Sequence, residues 1–220
     1  MDDWNSPEFI AHYNRVYGTP LSVVLETLAP LALKPWDRFV DFGCGNGSFL
    51  ALAGRQAGLA AGVDVSGGQL ELARQTLAGL PQITLVESGF LDFSWESEPF
   101  TKALSRKALH HLSDAEKGVF FKRIRRWMTP GALFLIEDAV FDFDRDDLPL
   151  SMDRVLVEAE AFYGPAWKEK RPDFERCLKD EYPTGFPQWE KALAYGGFKV
   201  EERWQKTCFY GGILAKREDW

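Results

Sequence analysis

Only three cysteines occur in the 220 residues, Cys44, Cys177 and Cys208, and they stand far apart. With an odd count, no C-x-x-C pair and no Cys/His ligand spacing, neither a disulfide framework nor a zinc site is expected, and the thiols read as reduced. Long apolar runs are missing too, since no stretch reaches the roughly 18 residues a membrane span needs. The opening Met1-Asp2-Asp3-Trp4 has neither the basic nor the apolar region of a secretory leader, so a soluble, cytoplasmic protein is expected. Basic charge is also scarce. Lys and Arg number 26 against 33 Asp and Glu, a net charge of −7, which disfavours a broad electrostatic footprint for RNA or DNA and favours small-molecule partners. Repeats, low-complexity segments and interdomain linkers are absent, so 1–220 reads as a single domain, and 45% hydrophobic composition is ample for one core. The oligomeric state is not legible.

Against these absences one stretch stands out, Val40-Asp41-Phe42-Gly43-Cys44-Gly45-Asn46-Gly47-Ser48-Phe49. It reads as a buried strand, a glycine turn and the start of a helix. Glycines at alternate positions let the backbone turn sharply and leave no Cβ between chain and ligand, while the first helical amides favour an anionic group nearby. A dinucleotide fingerprint, G-x-G-x-x-G, would need its third glycine at Ser48, but it falls at Gly47, which weakens an NAD reading. Asp64, at the end of Ala61-Gly62-Val63-Asp64-Val65, stands where an acidic residue holds ribose hydroxyls. Strand and helix patterns then alternate: strands at 39–42, 60–64 and 82–87, helices at 46–57 and 67–78. That alternation predicts a parallel sheet with helices on both faces and ligands at the carboxyl ends of the strands, where the glycine turn and Asp64 both fall.

V-D-F-G-C-G-N-G at 40–47 followed by G-V-D-V-S at 62–66 resembles motifs I and II of the class I S-adenosylmethionine-dependent methyltransferases. The resemblance implies a Rossmann-like α/β fold: a seven-stranded, mostly parallel sheet with an antiparallel last strand, N-terminal helices over residues 5–33 and a helical insertion after strand five. It implies S-adenosylmethionine as cofactor and S-adenosylhomocysteine as product, held by Asp41, Gly43, Gly45, Gly47, Asp64, Val65, Gly89, Phe90, Leu91, Ser105 and Arg106. Many members have Gly-Asp after the third strand, the Asp accepting from the adenine amino group. Gly89 takes that Asp position here, so adenine would rest on the backbone of Phe90 and Leu91 and on apolar contact; Asp92 is the alternative acceptor, though its side chain is expected to turn away.

After the fourth strand, 101–105, S-R-x-A-L-H-H-L-x-D at 105–114 is similar to a group of uncharacterised small-molecule methyltransferases. Phosphoethanolamine methyltransferases also carry Ser-Arg followed by an Ala and a His; on that register their active-site His falls on His111, and a Tyr from their N-terminal helices pairs with it. The resemblance thus implies His111 as base or substrate anchor, with Tyr13 or Tyr17 as that Tyr. A His there is suited to accept a proton near neutral pH; the competing reading is that His110 and His111 simply position a loop. Asp138, at the end of strand five, is expected near both and facing the substrate, and with Tyr13 it is a further candidate for a catalytic role beside His111. Ser113 and Glu116 form a capping-box pattern for a helix running to Met128, with Thr129-Pro130-Gly131 closing it and 132–136 as the fifth strand. Lys122, Arg123, Arg125 and Arg126 read as its solvated face.

Asp142, Asp144 and Asp146 have the first spacings of a calcium loop, but Asp147 replaces its Gly and Asp153 its Glu, so no metal site is expected. Residues 148–185 exceed what the connection needs. They read as helical with breaks at Gly164-Pro165 and Pro172, and with the N-terminal helices they form the natural lid. A final helix at 187–195 and an antiparallel pair at 198–204 and 207–215 close the chain. Asn/Asp-Pro-Pro-Tyr, the amino-methylating signature of nucleic-acid enzymes, is absent after strand four. The reading is methyl transfer to a small-molecule acceptor whose atom (N, O or C) is open. Its rivals are a non-catalytic S-adenosylmethionine-binding protein and, disfavoured by the glycine spacing, an NAD(P)-dependent oxidoreductase.

Overall fold

The computed structural model describes residues 6–219. Met1-Asp2-Asp3-Trp4, read above for a leader, and Asn5, where the first helical segment is expected to begin, lie outside the described residues. Helix α1 (Pro7–Tyr17) starts under the Ser6 side chain, which accepts from the Phe9 N–H at 3.3 Å, with Pro7 in the first turn where its missing donor costs nothing. Helix α2 (Leu21–Leu28) follows, then β1 (Arg38–Phe42), α3 (Ser48–Gln56), β2 (Leu59–Asp64), α4 (Gly67–Thr76), β3 (Ile83–Glu87) and β4 (Phe100–Arg106). No helix separates β3 from β4. The second half comprises α5 (Asp114–Ile124), β5 (Met128–Asp138), β6 (Val140–Phe141), α6 (Leu148–Tyr163), α7 (Trp167–Asp180), β7 (Thr184–Gly185), α8 (Phe186–Tyr195), β8 (Phe198–Thr207) and β9 (Tyr210–Arg217).

Seven strands form one sheet in the order β3-β2-β1-β4-β5-β9-β8, parallel except that β9 runs antiparallel to both β5 and β8. Strand order reverses between β1 and β4, whose registers pair Asp41 with Leu104 and Phe42 with Ser105. Loops leaving these two neighbours diverge and open a crevice at their carboxyl ends. One face of the sheet is sealed by α5 and α8 around Phe42, whose ring meets Phe93 and Phe120 edge-on at 5.3 and 5.1 Å. The other face carries Leu28, Leu31, Phe49, Leu50, Leu70 and Ala73 from α2, the turn after it, α3 and α4. A third apolar cluster joins α6 and α7 to the β8–β9 turn through Val155, Trp167, Leu178 and Phe209. That cluster anchors the insertion over the carboxyl end of the sheet, because aromatic burial is worth about 1.5–3 kcal/mol per ring.

Three details differ from the sequence reading. Helix α5 has the expected capping box but ends at Ile124; residues 125–127 form one 3-10 turn and Met128 already pairs with Phe100. Thr129-Pro130-Gly131 lie inside β5, where the register shifts between Phe100 and Lys102 and Gly131 takes φ +76°. A proline is tolerated at such an irregularity because no ladder hydrogen bond is asked of it. Pro172 sits inside α7 and does not break it; the carbonyl it leaves unbonded belongs to Lys168, an exposed residue that water can serve. Strands β6 and β7 pair in parallel as a separate two-stranded ribbon, tying the start of the insertion to its end. Among the described residues no helix is long and apolar enough to cross a membrane.

Candidate active site

The turn between β1 and α3 is held from β2. Gly43 and Cys44 donate their N–H groups to the Val63 carbonyl at 2.8 and 3.1 Å, and Gly45 donates to Asp64 Oδ2 at 2.8 Å. Gly43, Gly45 and Gly47 all have positive φ, at +79°, +51° and +79°, where a Cβ is strained. Their surroundings differ. A Cβ on Gly43 would meet the Ala108 Cβ at 2.4 Å and one on Gly47 would press on Ala73 of α4 and on Leu77, which caps that helix, whereas one on Gly45 would touch nothing within 4 Å. The open side of Gly45 faces a cavity of about 550 Å³ lined also by Gly43, Asp64, Val65, Gln69, Ser88, Gly89, Phe90 and Arg106.

Asp64 is half-buried and accepts from Ser66 N–H at 2.9 Å as well as from Gly45. Burial raises its pKa, opposed by those backbone donors. Asp64 lines the cavity with this carboxylate, an acceptor of the kind that sugar hydroxyls satisfy. Helix α1 is latched to this turn: Asn46 Nδ2 donates to Asn14 Oδ1 at 2.7 Å, and Asn14 Nδ2 donates to Gln69 Oε1 of α4 at 3.1 Å.

Four residues implied to hold the cofactor do not line this cavity. Asp41 is buried inside β1; burial, with Asp64 nearby, raises its carboxyl to about 8, so it is largely protonated at neutral pH. Gly47 caps α3 and packs against α4. Leu91 turns to the core, and Ser105 is buried with its hydroxyl donated to the Phe42 carbonyl at 2.9 Å. Arg106 does line the cavity, although its Nε donates to Glu137 Oε2 at 3.2 Å and its guanidinium lies over the Phe49 ring at 5.4 Å.

A second, smaller cavity of about 120 Å³ lies between α1, the β4–α5 turn and the insertion. Its walls include Tyr13, Tyr17, Asp138, His110, Tyr163, Phe174 and Phe209, and it shares Tyr13, Lys107, His111, Arg176 and Glu181 with the larger one. The two spaces adjoin at those five side chains. Tyr13 stacks on Tyr17 at 4.8 Å, and the Tyr17 hydroxyl donates to Asp173 of α7 at 3.4 Å.

Asp138 organises the histidines. Fully buried, it accepts from the N–H groups of Ala108, Leu109 and His110 at 3.3, 2.9 and 3.2 Å, from Ala139 N–H at 2.7 Å, and contacts His110 Nδ1 at 2.5 Å. Expected to face the substrate, it lines the smaller cavity with a carboxylate whose two oxygens already take these five donors. Burial would push the His110 pKa down, but the Asp138 carboxylate outweighs this and holds it well above the ordinary value; Asp138 is lowered in return, against its own burial. Glu181 completes the row, its Oε2 3.2 Å from His110 Nε2 and its Oε1 3.2 Å from His111 Nδ1. Burial alone would raise its pKa, but hydrogen bonds from the two imidazoles drive it far below the carboxylate range. Together His110, His111 and Glu181 also offer three ligand atoms suited in type to a metal ion. Two neighbouring contacts position Glu181. Tyr182 N–H donates to the His110 carbonyl at 2.8 Å, and Lys117, fully buried in α5, donates to the carbonyls of Tyr182 at 2.7 Å and Leu112 at 2.8 Å.

Sequence reasoning missed Glu181, which carries no motif, and Lys107, the residue between the quoted Arg106 and Ala108. Lys107 has φ +53°, a left-handed conformation uncommon for a side chain of its size. It lines both cavities.

The match to known proteins agrees with this geometry. Residues 39–131 fit the family model described as a methyltransferase domain. A carboxy-S-adenosyl-L-methionine synthase from Trichodesmium erythraeum is 30% identical over 195 residues, spanning 84% of this chain and 75% of that protein. An uncharacterized methyltransferase from Anoxybacillus flavithermus is 26% identical over 185 residues, spanning 84% and 76%. Among solved structures, the magnesium protoporphyrin IX methyltransferase of Synechocystis PCC 6803 with bound SAH superposes with a TM-score of 0.64 at 16% identity, covering 98% of this chain and 96% of that one. A phosphoethanolamine N-methyltransferase of Haemonchus contortus reaches 0.70 at 17% identity, covering 96% of this chain and 57% of that one. From the motifs, the strand order and these matches, the chain belongs to the class I S-adenosylmethionine-dependent methyltransferases.

Proposed function

We propose that this protein methylates a small-molecule acceptor, with S-adenosylmethionine in the larger cavity and the acceptor in the smaller one. The observation that carries the reading is that the two cavities adjoin at Tyr13, Lys107, His111, Arg176 and Glu181. A donor on one side and an acceptor on the other would meet there. The larger cavity suits the cofactor on its own chemistry: the bare backbone of Gly45 admits close approach, the Asp64 carboxylate seeks hydroxyl donors, and Gly89 and Phe90 offer backbone and an apolar ring to a base. When bound, the cofactor supplies a methyl group on a sulfonium, already a good leaving group. The chain's part is positioning and exclusion of water.

His111 is the group proposed to take the acceptor's proton. Glu181 at its Nδ1 favours the tautomer protonated on that nitrogen, which makes Nε2 the basic one. Tyr13 stands beside it on the shared wall as a contact to the acceptor. Glu181 is a positioning residue that also steadies the imidazolium formed when His111 is protonated.

The test is a metabolite screen with cofactor labelled in its methyl group, repeated with His111→Ala. Turnover should fall by about 10²–10⁴-fold in the variant while S-adenosylhomocysteine affinity stays near wild type. Full activity in the variant would remove His111 from the chemistry. Cofactor binding with no label transferred from any class of acceptor would favour the non-catalytic alternative.

A further inference from the structure

Lys107 is the most unusual residue on the wall between the cavities. Its backbone is held at φ +53° by its N–H, which donates to the Glu137 carbonyl at 2.8 Å, immediately after β4 ends. Such a conformation costs a non-glycine residue energy and persists where the surroundings enforce it, often at a functional position. The side chain runs inward. Its Nζ lies 5.4 Å from the centre of the Tyr210 ring and 6.0 Å from that of Tyr17, and no carboxylate forms an ion pair with it among the described residues.

The surrounding charges are already matched. Asp138 is bonded by backbone amides and His110, Glu181 stands between two imidazoles, Asp173 holds Arg176 at 2.8 Å, and Glu137 holds Arg106 and Lys206. Lys170 of α7 adds a second ammonium, 4.5 Å from the Tyr17 ring centre and 5.0 Å from that of Tyr163, again with no ion pair among the described residues. Two lysines therefore flank Tyr17 beside a cavity whose carboxylates are all engaged. A half-buried ammonium with no counter-charge beside it is costly, and the missing partner is an anion.

Resting on the methyltransferase reading above, we propose that Lys107 anchors an oxyanion of the methyl acceptor, so that the substrate class is a carboxylate or phosphate carried on an apolar, ring-sized body. The body would lie among Tyr13, Tyr163, Phe174 and Phe209, and the oxyanion would reach the Lys107 ammonium at the shared wall. Burial, with Arg106 and Lys170 nearby, pushes the Lys107 pKa down to about 7 against the opposing pull of Glu137 and Asp138. Tyr17 and Tyr210, which also face it, are both raised and stay neutral. A bound oxyanion would restore the charged form.

The experiment titrates benzoate, phenylphosphonate, benzyl alcohol and benzylamine into wild type, Lys107→Met and Lys107→Arg, each with and without S-adenosylhomocysteine. Wild type should bind benzoate or phenylphosphonate, and whichever of the two is tighter identifies the oxyanion as carboxylate or phosphate. Lys107→Met should lose about ten- to a hundredfold of that affinity, the scale of a charge-assisted contact, while Lys107→Arg keeps most of it. Affinity in wild type should weaken as pH rises from 7 to 9. Glycine accepts φ +53° freely, so Lys107→Gly should hold or raise the thermal midpoint while losing the anion preference. Anion affinity unchanged in Lys107→Met, no binding of either anion to wild type, or a preference for benzylamine would overturn the proposal. So would Lys107→Gly unfolding early while its anion binding persists. A failure to bind S-adenosylhomocysteine would count against the methyltransferase reading, and the titrations without it would still decide the role of Lys107.

Discussion

At the scale of single residues, the His110–Asp138 pair ties the site to stability as well as to function. Its pH dependence follows from the two shifts. His110 has a folded pKa above its ordinary value, so its contribution is complete below the unfolded value of about 6.5 and is lost as pH rises through the folded one. Asp138 is depressed, so its contribution is complete above about 3.8 and is lost as pH falls through its folded value. The stabilisation is therefore greatest between about pH 4 and 6.5 and declines on the alkaline side. Urea unfolding of wild type between pH 6 and 9 should show that decline, and His110→Gln should flatten it; an equal slope in both would mean that the pair is not ionised. Asp138→Ala should cost about 3–5 kcal/mol, because it leaves four backbone donors without their acceptor and takes from His110 one of its two carboxylate partners. The nearness of Asp138 to the histidines was legible from the neighbouring strand ends, but which histidine it holds was not. His110 and His111 are adjacent and chemically identical, and only the 3-10 turn at 109–111 sends one toward Asp138 and leaves the other on the wall of both cavities. Glu181 arrives from the far end of the insertion, beyond the reach of any local pattern.

The glycine turn makes its argument as an element, because its glycines serve different ends. Gly43 is closed in by Ala108, and Gly45 is open to the cavity. Gly45→Ala should leave a folded protein, less stable by about 1–2 kcal/mol for a left-handed alanine, yet weakened in cofactor binding because a methyl group then fills the approach. Gly43→Ala adds a clash to the same strain and should lower the thermal midpoint much further. Thermal melts and ligand titrations of both variants check this, and equal losses of stability would show that the turn relaxes as a unit. Elements from β1 to β4 were readable because apolar runs and glycine turns mark their ends. Strand β5 was read too short because Thr129-Pro130-Gly131 is also a helix-stop pattern, and only the bulge opposite Phe100 reveals it as strand. The paired dipeptides β6 and β7 are too short to carry any periodicity.

Over the whole molecule, the fold and cofactor class were legible because motif order dictates topology: a glycine turn after the first strand and an acid after the second fall together only in a parallel sheet. The smaller cavity was legible only in part: Tyr13, Tyr17, His111 and Asp138 were read from the sequence, but the walls from α6, α7 and the β8–β9 turn come together only through the third apolar cluster. One titration bears most directly on the account: calorimetry of S-adenosylhomocysteine and of NAD against wild type and Asp64→Ala. S-adenosylhomocysteine should bind wild type at one site and lose about 1.5–3 kcal/mol in Asp64→Ala, as charge-assisted hydrogen bonds to ribose disappear, with NAD giving no heat. NAD binding in the absence of any response to S-adenosylhomocysteine would contradict it.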